Sequence, residues 1–144
     1  MASDPSATRR AVARTAAQRG EIQTAYLFGS TATGRTRPDS DVDVAVLVAR
    51  PATAKSALTY RLALMADLGA ALRRPDIDVV ILNDAPPLLA HRILSTGVLV
   101  FERSRTARVR FQVRTAARYS DQVPMYETQI RYLKKRARER RVGG

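Results

Sequence analysis

Cysteine is absent from this chain, histidine occurs once, and acidic residues number 13 against 25 basic ones. Without cysteine, disulfides, thiol catalysis and thiolate metal sites are excluded. The lone histidine, His91, sits in a helix-like stretch rich in Leu and Ile, where it reads as a surface or packing residue rather than a base or ligand. No apolar stretch reaches the ~18 residues a membrane span requires. No apolar segment follows Met1-Ala2-Ser3-Asp4-Pro5-Ser6, only an Arg- and Ala-rich helix-like run from Thr8 to Arg19, so a secretory signal is not expected and the cytoplasm is the expected location. No internal repeat is found. At 144 residues the chain is long enough for one domain with a real core and too short for a separate acceptor domain.

The net charge of +12 suggests nucleic acid until its distribution is followed. Residues 1–19 hold four basic and one acidic residue, residues 20–100 hold eight of each, and residues 101–144 hold thirteen basic and four acidic. A neutral central module with a basic C-terminal segment does not look like a whole-domain DNA binder, although the tail could contact RNA. Arg outnumbers Lys 22 to 3, a compositional bias that explains many of the arginines without any local role.

The informative stretch is Gly29-Ser30-Thr31-Ala32-Thr33-Gly34-Arg35-Thr36-Arg37-Pro38-Asp39-Ser40-Asp41-Val42-Asp43. Ile22 to Phe28 reads as a short strand that ends at Gly29-Ser30. Gly29 permits close approach of backbone to a ligand, and a helical turn starting near Ser30 would point N–H groups and a hydroxyl at an anion. Gly34 would end that turn, and residues 35–40 form a polar connection. Val44 to Val48 is an apolar run of strand character that carries Asp41 and Asp43 at its start, with both side chains on one face. At about 3.3 Å rise per residue their backbones are roughly 6 to 7 Å apart. Two anions so placed are expensive without a cation, and close enough to share one divalent ion or clamp a pair.

A third carboxylate interrupts the apolar run Ile77-Asp78-Val79-Val80-Ile81-Leu82. Embedded among β-branched neighbours it is costly unless paired or metal-bound, so Asp78 is a better candidate than Asp76 in the turn after Pro75. The remaining pattern predicts α/β layering. Leu58, Leu62, Met65, Leu68 and Leu72 predict a helix over Ala54 to Arg73 with one stripe on a sheet. Pro86 and Pro87 open a helix through Thr96, Gly97 closes it, and Val98 to Phe101 reads as a strand. From Ser104 the chain reads as helical with a break near Pro124. Ile130, Leu133 and Ala137 give the tail the character of a solvated amphipathic helix, or of a docking surface for an acidic partner, while Tyr119, Tyr126 and Tyr132 read as half-buried packing residues.

The Gly-Ser to Asp-x-Asp spacing, Ser40 before the first Asp and the later strand Asp resemble the minimal nucleotidyltransferases of the DNA polymerase beta superfamily. The short length and the segment Arg92 to Arg103 look like the antitoxin members paired with HEPN-domain ribonuclease toxins. The resemblance covers roughly residues 20 to 125. It implies an α/β (α+β) fold, a small mixed β-sheet with helices packed on it and a C-terminal helical extension. It also implies one nucleotidyltransferase domain over 1–144, with a catalytic core at about 20–101 and a basic extension at about 104–141. Nucleotide phosphates would be held by Gly29 and Ser30, with Ser40 beside them. Many relatives carry Arg or Lys just before the second glycine; here Thr33 stands there, and Arg35 is the candidate substitute. Asp41 and Asp43 would ligate two Mg2+ ions and Asp78 would complete the cluster. The implied activity is transfer of AMP from ATP to a tyrosine of a HEPN toxin, which silences it. A non-catalytic antitoxin that masks its partner, or an enzyme acting on a small hydroxyl compound such as an aminoglycoside, are the alternatives.

Overall fold

A computed structural model describes residues 4–33, 41–50 and 54–142. The chain order is α1 (Pro5–Ala17), β1 (Ile22–Phe28), a four-residue α2 (Ser30–Thr33), β2 (Val42–Val48), α3 (Ala54–Leu72), β3 (Ile77–Ile81), a 3-10 turn (Leu82–Asp84), α4 (Pro87–Thr96), β4 (Val98–Glu102) and α5 (Arg105–Val142). The strands form one mixed sheet of order β3-β2-β1-β4. β1 runs antiparallel to both β2 and β4, and β2 runs parallel to β3, to which it is connected through α3.

Helix boundaries follow local chemistry. α1 begins three residues before the Arg- and Ala-rich run at Thr8, because the Asp4 carboxylate accepts from Ser6 N at 3.1 Å and Pro5 occupies the first turn, where its missing N–H costs nothing. α4 opens at Pro87 and stops at Gly97 as the pattern predicts. A Cβ on Gly97 would lie 2.5 Å from Ile93 O in the last turn of α4 and 3.2 Å from Leu27 O of β1, so the helix end is closely fitted to the sheet.

Both faces of the sheet are covered. On one face Val42, Val44, Val46 and Val48 pack with Val12 and Ala16 of α1 and Leu64 and Leu68 of α3. On the other, Tyr26, Ala45 and Leu47 pack with Ala90 and Ile93 of α4 and Phe111 of α5. Because side chains alternate along a strand, Asp43 shares the second face with Ala45 and Leu47.

Three expectations are corrected. The stripe of α3 is rotated: Leu64 and Leu68 are buried and Met65 and Leu72 partly so, whereas Leu58 and Leu62 are 54% and 55% exposed. The helix is apolar on several sides, so its spacing admits two registers; the one observed buries Leu64 and Leu68 and leaves Tyr60 and Arg61 facing Glu21 and Asp78. α5 continues through Pro124 without a break. Proline deletes one helical hydrogen bond, but Pro124 lies on an exposed side where water can solvate the carbonyl left over, and Thr128 Oγ1 donates to Pro124 O at 2.9 Å. Tyr132 is 58% exposed rather than half-buried, while Tyr119 and Tyr126 are partly covered. His91 is a packing residue: its ring stacks on Tyr119 with centroids 3.7 Å apart and planes 3° from parallel, joining α4 to α5.

Candidate active site

The strand register builds the site. Asp43 is the second residue of β2, paired across to Phe28 on β1 and in parallel register with Asp78 on β3. Adjacent strands lie about 4.8 Å apart, so two carboxylates are held on one face at a separation no side-chain rotation can make large. Asp41 directly precedes β2, and the following amide, Val42 N, donates to Asp76 O at 2.9 Å, which pins this entry to the start of β3.

Gly29 closes the third side. Its φ is +65°, in the left-handed region that favours glycine. A Cβ there would also stand 2.5 Å from Asp43 Oδ2. Glycine is favoured by the backbone conformation, and a Cβ there would also force the Asp43 carboxylate to shift. Ala32 N donates to Gly29 O at 3.2 Å, closing the turn that starts α2. Phe28, Gly29 and Ser30 line a cavity of about 520 Å³ whose other wall is α4, with Leu89, Arg92 and Thr96.

The electrostatics are those of crowded anions. Burial first, then the charge of Asp78, then that of Asp41, push the Asp43 carboxyl above its ordinary range. Asp78 Oδ1 accepts from Arg61 Nη2 at 3.0 Å, and Arg61 Nε donates to Val79 O at 2.7 Å, so the guanidinium is anchored to the backbone while it holds one oxygen of the carboxylate. Asp76, by contrast, is engaged by Arg74, whose Nε donates to Asp76 Oδ1 at 2.7 Å; that hydrogen bond, ahead of every other influence, holds Asp76 below the ordinary range. Oxygen donors of this kind are what a hard divalent cation takes, and Asp41, Asp43 and Asp78 are the residues that could hold one. Among the described residues, no three acidic or histidine side chains stand close enough to enclose an ion as they are placed.

Gly29, Ser30, Asp43 and Asp78 thus meet at one end of the sheet, with Asp41 at its entry. Arg35 and Ser40, like Gly34, lie outside the described residues. Sequence reasoning missed Arg61 and Arg92. Arg61 had a signal: it is a cation in the middle of the apolar helix α3. Arg92 had none beyond its helix, since what makes it notable is the cavity that α4 forms with β1.

Residues 11–106 match the polymerase beta nucleotidyltransferase family. The chain belongs to that family. Solved structures agree with its fold. A chain of a toxin–antitoxin complex with AMP-PNP is 24% identical, covers 88% of this nucleotidyltransferase with 98% of its own length, and has a TM-score of 0.74. A chain from a tri-AMPylated Shewanella oneidensis HEPN toxin in complex with MNT antitoxin is 22% identical, with 91% and 99% coverage and a TM-score of 0.70. A third, from the toxin–antitoxin MntA-HepT, is 23% identical, with 88% and 97% coverage and a TM-score of 0.67. No curated protein sequence matches this nucleotidyltransferase significantly. Among the described residues no helix is long and apolar enough to cross a membrane.

Proposed function

We propose that this nucleotidyltransferase is an antitoxin that transfers AMP from ATP to a tyrosine hydroxyl of a HEPN ribonuclease toxin and thereby silences it. The observation that carries the reading is the in-register pair Asp43 and Asp78 set against the Gly29-Ser30 turn. Family membership supports nucleotidyl transfer. The similar structures support the nucleotide and the acceptor, one described with AMP-PNP and another with a tri-AMPylated HEPN toxin beside an MNT antitoxin.

In the reaction, the tyrosine oxygen bonds to the α-phosphorus, the bond from that phosphorus to the bridging oxygen breaks, and pyrophosphate departs in line. Gly29 and Ser30 orient the phosphates. The second oxygen of Asp78, the one Arg61 does not hold, accepts the hydroxyl proton. Two Mg2+ ions held by Asp41, Asp43 and Asp78 would supply a Lewis acid for the charge developing on the phosphates. Arg92 is the cation on the α4 wall of the cavity beside Ser30, within the volume range of small-molecule sites. Binding and catalysis take place in the cytoplasm.

The test is intact mass analysis of the toxin after incubation with this protein, ATP and magnesium. One or more AMP groups should appear on a tyrosine, and the toxin should stay inactive once the antitoxin is stripped away. An unmodified toxin that regains activity on separation would replace catalysis by masking.

A further inference from the structure

A second cavity lies at the opposite end of the same sheet face, and nothing in the reaction above uses it. It has a volume of about 660 Å³, larger than the cavity at Gly29-Ser30, and lies between the last residues of β2 and α5. Its lining includes Arg110, Arg114 and Arg118, four residues apart in sequence, so they stand one above another on a single face of α5. Among the described residues no carboxylate lines it, and none of the three arginines is in an ion pair. Three like charges at about 6 Å intervals of helix rise repel one another and attract an anion of matching length. Leu47 and Phe111, 5% and 6% exposed, form the apolar floor, with the Arg114 guanidinium 5.8 Å from the centre of the Phe111 ring. Asn83 is fixed there by two 2.9 Å hydrogen bonds to the backbone of Val48, which makes this end of the sheet a rigid wall.

The size fits a small molecule rather than a protein face. An apolar surface beside a row of guanidinium groups suits a ligand with an aromatic body and a chain of anionic groups. We propose that this cavity binds a nucleoside polyphosphate, with the phosphates on Arg110, Arg114 and Arg118 and the base toward Leu47 and Phe111. It is a separate site. Asp43 and Leu47 are about 13 Å apart along β2, and the buried Tyr26 and Ala45 fill the face between them, so one molecule cannot span both ends.

The experiment is calorimetric titration of the full chain with a nonhydrolysable ATP analogue and magnesium. The parent should bind two equivalents. An Arg110→Ala, Arg114→Ala variant should bind one and keep its transfer activity. An Arg136→Ala, Arg140→Ala variant, which removes the same charge from the exposed far end of α5, should still bind two. Each guanidinium removed from the cavity should weaken the second site by at least about tenfold. A parent that binds one equivalent, unaffected by the cavity substitutions, would overturn the proposal, as would equal losses from the cavity and tail variants. One equivalent in the parent and none in the cavity variant would support the proposal and sink the nucleotide site at Gly29-Ser30 instead. Sodium tripolyphosphate should bind the far cavity more weakly than the analogue; equal binding would overturn the assignment to a nucleotide.

Discussion

The two ends of one sheet face carry opposite charge, and they hold it by different means. At the β2 entrance, Asp43 and Asp78 are locked side by side by strand register, partly buried, with Asp41 adding a third negative charge. At the other end, Arg110, Arg114 and Arg118 are spaced along a helix in exposed positions. Register sets the two backbones about 4.8 Å apart with both carboxylates on one face, and burial amplifies their repulsion. The helical repeat spaces the arginines' backbone positions about 6 Å apart and leaves the charges in water, whose high dielectric weakens the repulsion. The crowded end therefore needs a compensating cation, part of which Arg61 supplies, while the spaced end tolerates its charge and offers it to a ligand.

The sharpest way to break the contrast is Asp43→Asn. Transfer should fall on the order of 10³-fold, as when one preorganised electrostatic group is lost from an active site, measured as AMP incorporation with time. The same variant tests the crowding. With its proton affinity raised in the folded state, Asp43 favours folding in acid and loses that contribution as pH rises above the ordinary carboxylate range. Without magnesium, Asp43→Asn should thus be more stable than the parent at neutral pH, and the gap should close towards pH 3. A gap independent of pH would show that the carboxylates do not repel.

Gly29→Ala comes next. It forces a side chain into a left-handed φ and against Asp43 Oδ2. We expect a loss of about 1–3 kcal/mol in urea unfolding, and a parent-like midpoint would mean that the turn and the carboxylate can move apart. Arg61→Ala should cut the transfer rate roughly tenfold, about 1.4 kcal/mol, with Arg61→Lys recovering part of it. Equal rates in all three proteins would remove Arg61 from any part in holding Asp78.

The smallest effect is expected on the far part of α5. Leu133 is 64% exposed and touches no core cluster, so Leu133→Ala should change stability by less than about 0.5 kcal/mol. If the thermal midpoint dropped as it does for a buried leucine, the tail would be packed against something in solution.

Much of the candidate site was legible in the sequence. Gly29-Ser30, the alternating Asp41 and Asp43 and the out-of-place Asp78 are local patterns, and strand parity follows from spacing alone. The rotation of α3 was not legible, because its apolar residues satisfy two stripes, and neither was the continuity of α5, because the cost of Pro124 depends on whether its side of the helix faces water.

Composition and short-range order determined the absence of thiol chemistry, the element types, the glycine turn and the candidate carboxylates, since each rests on covalent identity or on contacts a few residues apart. Tertiary structure alone decided that Asp78 stands beside Asp43, that Arg61 rather than another cation holds it, that Gly29 has a carboxylate where a Cβ would go, and that three arginines of α5 share a cavity with the end of β2. The reason is physical. Parallel register, helix rotation and the docking of α5 are settled by burying many apolar side chains at once, a cooperative quantity that no local stretch of sequence contains.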